Sequence, residues 1–383
     1  MTRNDSASPP VMIITCEYPP FPGGIGTYAG EMARAGVDAG AAMSVIAPRY
    51  EGIPGDVPAD VRHHLVLRHH KIALPAILQV LRRVRGAPAD TLLLAADVRT
   101  VLVLKLLQPL HRRPYRVMVH GSEAAKFRRG SILFKLIQKA YLGADLVAYN
   151  SRATGDIFRS QLGTPKHEAI TYLGVDRQWF DPADSDTFEH PELAALPADA
   201  PVFCSVGRLE ARKGQVETIR ALARARDRYG LADPVYVVVG RTEDETYERA
   251  IVAEAAQHRV RTLLPGRLSI PDIKLLYQRS AAHLLFAREL PGKIEGFGLV
   301  LIEAGAQGCP SITTAVGGIP EVLGDTGAVV PADDINRFAA QIASYGSDAA
   351  LSARQGALVR ERASAFTWKR CFAETFPEVA HAE

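Results

Sequence analysis

The sequence predicts an α/β chain built from two doubly wound, Rossmann-like halves. Short, apolar, β-branched runs alternate with longer helical stretches, the pattern of parallel strands covered on both faces. The alternation breaks at "TFEHPELAALPADAP" (187–201) and then restarts, and 383 residues are ample for two cores.

In the first half, "VMIITC" (11–16) reads as a buried strand and "GTYAGEMARAGVDAG" (26–40) as a helix ending near Gly40. "MSVIAP" (43–48) is a second strand, stopped by Pro48. "TLLLA" (91–95), "YRVMVH" (115–120) and "DLVAYN" (145–150) repeat the pattern, with helices such as "SILFKLIQKAYLG" (131–143) between them. Acid, proline and alanine make 187–201 read as a linker. Beyond it, "VFCSVG" (202–207) is a strand, "GQVETIRALARARDRYG" (214–230) a helix and "PVYVVVG" (234–240) a strand. "RTLLPG", "AAHLLFA", "PSITTA" and "GAVVP" follow as further strands, so the expected domains are 1–185 and 186–365. The closing "AFTWKRCFAETFPEVAHA" reads as a final helix.

With 47% apolar and 23% charged residues the composition is that of an ordinary globular protein. No apolar run reaches membrane-span length and "MTRNDSASPP" has no hydrophobic signal core, which predicts a cytoplasmic protein. Cys16, Cys204, Cys309 and Cys371 are scattered without ligand spacing and read as buried, reduced thiols. The net charge of +3 is uneven: Arg62 to Lys139 holds sixteen Lys and Arg against Asp90, Asp97 and Glu123. Such a stretch suits an anionic partner, whether a membrane surface or a phosphorylated acceptor, with a solvated basic face as the plain alternative. It lacks the aromatic interleaving that base stacking needs, so nucleic acid is not expected.

"EYPPFPGGIGTYAGE" (17–31) contains Gly24-x-Gly26-x-x-Ala29, a dinucleotide-type fingerprint. Seven residues, Glu17 to Gly23, separate it from the strand, three of them proline, and Pro48-Arg49 stands where a ribose-binding acid belongs. Arg49 could still suit a 2′-phosphate, so it is the loop length and the absence of a hydride-transfer constellation that disfavour an NADP-dependent oxidoreductase. The glycines still let backbone N–H groups approach some other anion at a helix start.

In "ARELPGKIEGFGLVLIEAGAQGCP" (287–310), Glu295 precedes a Gly-Phe-Gly loop and Glu303 falls on a helix starting near Gly298. A helix start after a glycine loop offers free N–H groups and a positive dipole end to a diphosphate. The two carboxylates can accept hydrogen bonds from ribose and sugar hydroxyls. "SVGRLEARKGQ" (205–215) places Arg208 and Lys213 after a strand end, where fixed cations can neutralise a diphosphate without a metal. No Asp-x-Asp pair stands near a strand end. Gly317-Gly318, in "TTAVGGIPEVLGDTG" (313–327), is a second candidate phosphate or base contact.

In order and spacing, "PPFPGGIGTYAGE", "VHGSE", "AYNSRAT", "TYLGVDRQWFDP", "SVGRLEARKGQ", "EGFGLVLIEAGAQGCP", "TTAVGGIPEVL" and "FTW" resemble the retaining nucleotide-sugar glycosyltransferases of family four, with the GT-B fold. The resemblance covers nearly the whole chain. It implies two Rossmann-like domains facing a central cleft, with the last helix, about 366–383, crossing back to the first domain. The N-terminal domain would take the acceptor and the C-terminal domain the nucleotide sugar.

The resemblance also implies site roles. Arg208 and Lys213 match cations that hold the donor diphosphate. Glu295 matches the glutamate near the donor sugar hydroxyls, and Glu303 the one on the ribose. Gly298 and Leu299 lie where backbone amides meet the donor, and Gly24 matches a glycine closing over the donor phosphate. His120 matches a histidine at the donor sugar or acceptor, and Arg267, in "LPGRLS", sits near the nucleobase pocket. The expected catalytic set is thus His120, Glu295, Arg208 and Lys213, with no cofactor and no metal. Front-side transfer is the expected route. "RELPGK" resembles members that use GDP-mannose on lipid-linked acceptors, which implies hexosyl transfer in polysaccharide or glycolipid synthesis, at the inner membrane face. A UDP-sugar enzyme with a soluble acceptor and an inactive binding scaffold are the alternatives.

Overall fold

Seven strands form the first sheet: β1 (Val11–Ile14), β2 (Met43–Pro48), β3 (Arg62–Leu67), β4 (Leu92–Ala95), β5 (Arg116–Val119), β6 (Leu146–Tyr149) and β7 (Glu168–Ile170). They pair in parallel in the order β3-β2-β1-β4-β5-β6-β7. Helices α1 (Gly24–Asp38), α2 (Leu74–Gly86), α3 (Val98–His111), α4 (Ile132–Leu142) and α5 (Arg152–Leu162) connect them. The structure, a computed structural model, describes residues 8–20, 23–50, 61–67, 73–121, 130–197, 199–242 and 244–380. Pro22, Ser122 and Glu123 of the motifs above lie outside the described residues, as do Arg68, Lys71, Lys126, Arg128 and Arg129 of the basic stretch.

The second sheet holds β8 (Val202–Val206), β9 (Val235–Val239), β10 (Arg261–Gly266), β11 (Ala282–Leu285), β12 (Ser311–Thr314) and β13 (Ala328–Val330). These are also parallel, in the order β10-β9-β8-β11-β12-β13. Its helices are α6 (Pro191–Ala194), α7 (Gln215–Tyr229), α8 (Glu245–His258), α9 (Ile270–Arg279), α10 (Leu299–Ala306), α11 (Ile319–Leu323), α12 (Ile335–Ser347) and α13 (Ala349–Ser364). The apolar strands are buried along their length, β1, β5, β9 and β11 completely, as two-sided parallel sheets require.

By contacts, Met1–Gly174 with Thr367–Glu383 make one compact unit and Val175–Phe366 the other. The first unit's core joins Ile14, Leu93, Val117 and Val147 of the sheet to Val80, Leu104, Ile137 and Phe158 of its helices. The second joins Phe203, Val238 and Leu284 to Ile219, Leu222 and Phe338. All four cysteines are buried free thiols.

The chain end returns to the first unit as α14 (Trp368–Thr375) and α15 (Pro377–Ala380). Tyr28 of α1 lies 6.2 Å from Trp368, ring to ring, and buried Arg116 of β5 donates to the Thr375 carbonyl at 2.5 Å and pairs with Glu378. The single closing helix expected from sequence is thus two, because Pro377 has no N–H to continue the first. The linker expectation for 187–201 also needs correction. Phe188, Leu193 and Leu196 are buried, and the Glu189 N–H donates to the Asp272 carboxylate at 2.8 Å. Prolines and acids between these apolar residues hide the anchoring in any averaged hydropathy.

Candidate active site

In the second sheet the strand order reverses between β8 and β11, so the loops leaving their carboxyl ends diverge and open a crevice. The first loop carries Arg208 and Lys213, the second Glu295.

The β8 loop ends in a 3₁₀ turn, Ala211–Lys213, closed by Gly214 at φ 64°. A Cβ on Gly214 would sit 2.0 Å from the Phe286 carbonyl oxygen, so only glycine lets the two loops touch. The Arg288 N–H donates to the Arg212 carbonyl at 2.9 Å, locking them together. Arg212 and Lys213 consequently face Glu295. Arg212 Nη1 lies 2.5 Å and Lys213 Nζ 2.7 Å from Glu295 Oε2. Arg212 also holds Glu210 at 2.7 Å.

All three of these side chains are nearly out of water, with 10–12% exposure. Burial pushes the Glu295 carboxyl up, but Lys213 and Arg212 outweigh it and hold the group at about 2. Burial lowers Lys213, while Glu295 supports its charged form. The result is a fixed carboxylate with two cations that keep spare donors. An ammonium has three and a guanidinium five, so each can bind a phosphate oxygen without leaving Glu295.

Glu295 is positioned from behind. The Gly318 N–H donates to its carbonyl at 3.0 Å, and a Cβ on Gly317 would lie 2.0 Å from that oxygen. The paired glycines, a candidate ligand contact from sequence, thus give the Gly318 N–H to the protein itself. Gly317 has φ 57° and faces backbone, so Gly317→Ala should displace Glu295. Activity should fall about tenfold or more while the variant stays folded but loses roughly 1–3 kcal/mol. Denaturant melts beside a transfer assay check both.

Gly298, left-handed at φ 88°, caps α10, and Leu299 is its first residue. Their N–H groups open the helix at the same end as Glu295. Glu303 lies one turn on, half-buried. Burial pushes its carboxyl up to about 7, with Lys213 pulling the other way. A carboxyl raised in the folded state favours folding below the ordinary value, and that contribution is lost as pH rises through about 7. Glu303→Gln should therefore be more stable than the parent at about pH 8 and not at about pH 4, as thermal melts will show.

Arg208 stands at the exposed rim of the ion-pair cluster. Its side chain is 63% exposed and, among the described residues, pairs only with Glu210, at 3.5 Å. Arg267 is exposed and follows Gly266, which the strand register sets level with Val239 and Val206. It therefore stands at the same carboxyl edge as Gly207.

Gly24 and His120 belong to the first unit. That sheet reverses between β1 and β4, and buried Asp97, after β4, accepts the Cys16 N–H at 2.7 Å to tie the two exits together. Exposed Gly24 opens α1 just beyond. Half-buried His120 directly follows β5, its ring edge-on to Tyr28 at 4.9 Å. Burial lowers it to about 4, opposed by a hydrogen bond to the Ala96 backbone and by Asp97. His120 is thus neutral near pH 7 and acts as a hydrogen-bonding group, not a cation.

Sequence reasoning missed Arg212, Glu210 and His283. Arg212 beside Lys213 on one turn was the available signal. His283, in β11, is buried and neutral, at about 3 through burial and the nearby Lys213 charge. Its ring accepts the Val206 N–H at 3.4 Å beneath the β8 loop. Among the described residues, no group of three or more His, Cys, Asp or Glu could hold a metal ion, and no helix is long and apolar enough to cross a membrane.

Two parallel-sheet Rossmann-like units, with cations and carboxylates at a carboxyl-edge switch point, define a nucleotide-sugar transferase of GT-B type. Residues 186–362 match the family described as Glycosyl transferases group 1, and residues 22–179 match Glycosyltransferase Family 4. The chain belongs to the family-four glycosyltransferases with the GT-B fold. It is 29% identical over 375 residues to a GDP-mannose-dependent alpha-(1-6)-phosphatidylinositol monomannoside mannosyltransferase of Mycolicibacterium smegmatis, covering 90% of this chain and 91% of that one. In structure it is similar to sucrose-phosphate synthase from Thermosynechococcus elongatus, with TM-score 0.77, 21% identity and coverage of 95% and 96%. It is also similar to Anabaena HepE in complex with UDP and glucose, with TM-score 0.75, 19% identity and coverage of 96% and 99%. The Gly24 fingerprint falls within the residues that match Glycosyltransferase Family 4.

Proposed function

We propose that this enzyme moves a mannosyl unit from GDP-mannose to a lipid-linked or glycan acceptor, with retention of configuration and with neither cofactor nor metal. The carrying observation is Glu295 held as a carboxylate by Lys213 and Arg212 at the switch point. The whole-length likeness to a GDP-mannose-dependent enzyme supports the donor and the lipid acceptor.

In this reading Lys213 and Arg208 bind the donor diphosphate, aided by the N–H groups of Gly298 and Leu299 and, from the first unit, Gly24. Glu295 accepts hydrogen bonds from donor sugar hydroxyls, Glu303 from the ribose, and Arg267 lies toward the base. Neutral His120 orients the sugar or the acceptor hydroxyl. The bond from the anomeric carbon to the phosphate oxygen breaks as the acceptor oxygen attacks the same face. The acceptor proton passes to the leaving phosphate oxygen, and Arg208 and Lys213 absorb the charge that grows there.

The test is transfer from radiolabelled GDP-mannose, beside UDP-glucose, into a lipid extract, with and without EDTA. Label should enter the lipid phase from GDP-mannose, survive EDTA and keep the donor's anomeric configuration. Transfer from UDP-glucose alone would overturn the donor, loss with EDTA the metal independence, and inverted product the mechanism.

A further inference from the structure

The Arg208 side chain is 63% exposed, and its ion pair with Glu210 is long, at 3.5 Å. Such a cation is aimed mainly by its backbone. Whatever fixes residues 207–209 therefore decides where the charge stands.

Two bonds come from the exit of β9. The Gly207 N–H donates to the Val239 carbonyl and the Leu209 N–H to the Arg241 carbonyl, each at 2.9 Å. A side chain holds the carbonyl between them. Gln215 Nε2 donates to the Arg208 carbonyl oxygen at 3.1 Å. Gln215 is the first residue of α7 and only 3% exposed.

The other end of this amide is also taken, its Oε1 accepting the Tyr247 hydroxyl at 3.1 Å. A carbonyl oxygen only accepts, so the Gln215 NH₂ must face Arg208 and its oxygen must face Tyr247. Burial, and then the Glu217 charge, push the Tyr247 hydroxyl up to about 12, so it stays a donor. Tyr247 is fixed in turn. Asp244, at the start of α8, accepts its N–H at 3.3 Å, and its ring packs on the second unit's core. A relay of hydrogen bonds thus runs from the core through Tyr247 and Gln215 to the backbone of an exposed cation. A buried amide is costly unless it is bonded, and here one of its two bonds goes to a site loop. The same turn of α7 carries Glu217, which pairs with Arg288 of the β11 loop at 2.7 Å. The start of α7 therefore braces both loops of the site.

We propose that Gln215, held by Tyr247, is a positioning residue for diphosphate binding that acts through the backbone of Arg208. Gln215 itself touches no ligand in this account, which rests on Arg208 being a cation for the donor diphosphate.

A double-mutant cycle read by titration calorimetry with GDP and with UDP tests this without any transfer. GDP carries the charge that a leaving diphosphate acquires, so Arg208→Ala should weaken it about tenfold. Gln215→Met keeps the side chain's length and removes both hydrogen bonds. It should weaken GDP about fivefold, and Tyr247→Phe about threefold. With Arg208→Ala already present, either change should weaken GDP less than about 1.5-fold further, because the group being aimed is gone. A glutamine that only supports the fold would give the same loss in both backgrounds, and that result would overturn the proposal. So would parental affinity in Gln215→Met. Circular dichroism melts establish that the variants fold, and Tyr247→Phe, which deletes one oxygen, decides the matter if Gln215→Met does not. A parent that binds UDP in place of GDP would overturn the proposed donor alone, and the same cycle is then read with UDP. Parental affinity in Arg208→Ala, or a parent that binds neither nucleotide, would overturn both the role of Arg208 and this inference.

Discussion

Glu295→Gln should lower the transfer rate by about 10²–10³-fold, the usual cost of removing one preorganised polar group from a reacting centre. It should also destabilise the fold, because Lys213 and Arg212 would lose their shared carboxylate while remaining 10–12% exposed. Breaking a buried pair in this way costs about 3 kcal/mol. The pH dependence separates this from a general loss of structure. The Glu295 carboxyl is held at about 2 by Lys213 and Arg212 against burial, so its stabilisation is present above the ordinary carboxyl range. It is lost as pH falls from about 4.5 toward 2. The gap between parent and variant in urea melts should therefore be widest near neutral pH and close in acid. A constant gap would mean that Glu295 is not held by charge.

Arg208→Ala should behave in the opposite way toward stability. Arg208 is 63% exposed and, among the described residues, pairs only with Glu210, at 3.5 Å, so removing it should leave stability within about 0.5 kcal/mol. If it neutralises the leaving diphosphate, transfer should still fall about 10²-fold, in kcat more than in KM. Lys213→Ala should lose both activity and stability, because it uncovers Glu295 as well. Equal activity of Arg208→Ala and the parent would remove Arg208 from the site and leave Arg212 as the second cation.

Much of this was legible in the sequence because it rests on local chemistry. β2 and β10 match their expected ranges, since Pro48 and Gly266 punctuate them. β3, "RHHLVL", escaped because it opens with three polar residues, and β7 because it has only three residues. At the site, Lys213 and Glu295 were visible as motif residues, but their contact was not. It depends on Gly214 fitting under the Phe286 carbonyl, 72 positions further on in the chain. Arg212 was hidden for the same reason, its partners Glu210 and Glu295 being joined only through that loop contact. The outward leucines of α2 and α4 were hidden too. Leucine and isoleucine in a helix read as core until burial tells which of them face outward.

The central claim is that the second unit's switch point binds a sugar nucleotide through its diphosphate. Thermal stabilisation by GDP, UDP, ADP, NAD and NADP, each with and without a divalent metal, tests it most directly. The account predicts selective stabilisation by GDP, undiminished without metal and absent in Lys213→Ala. Stabilisation by NADP alone, or by no nucleoside diphosphate, would contradict it.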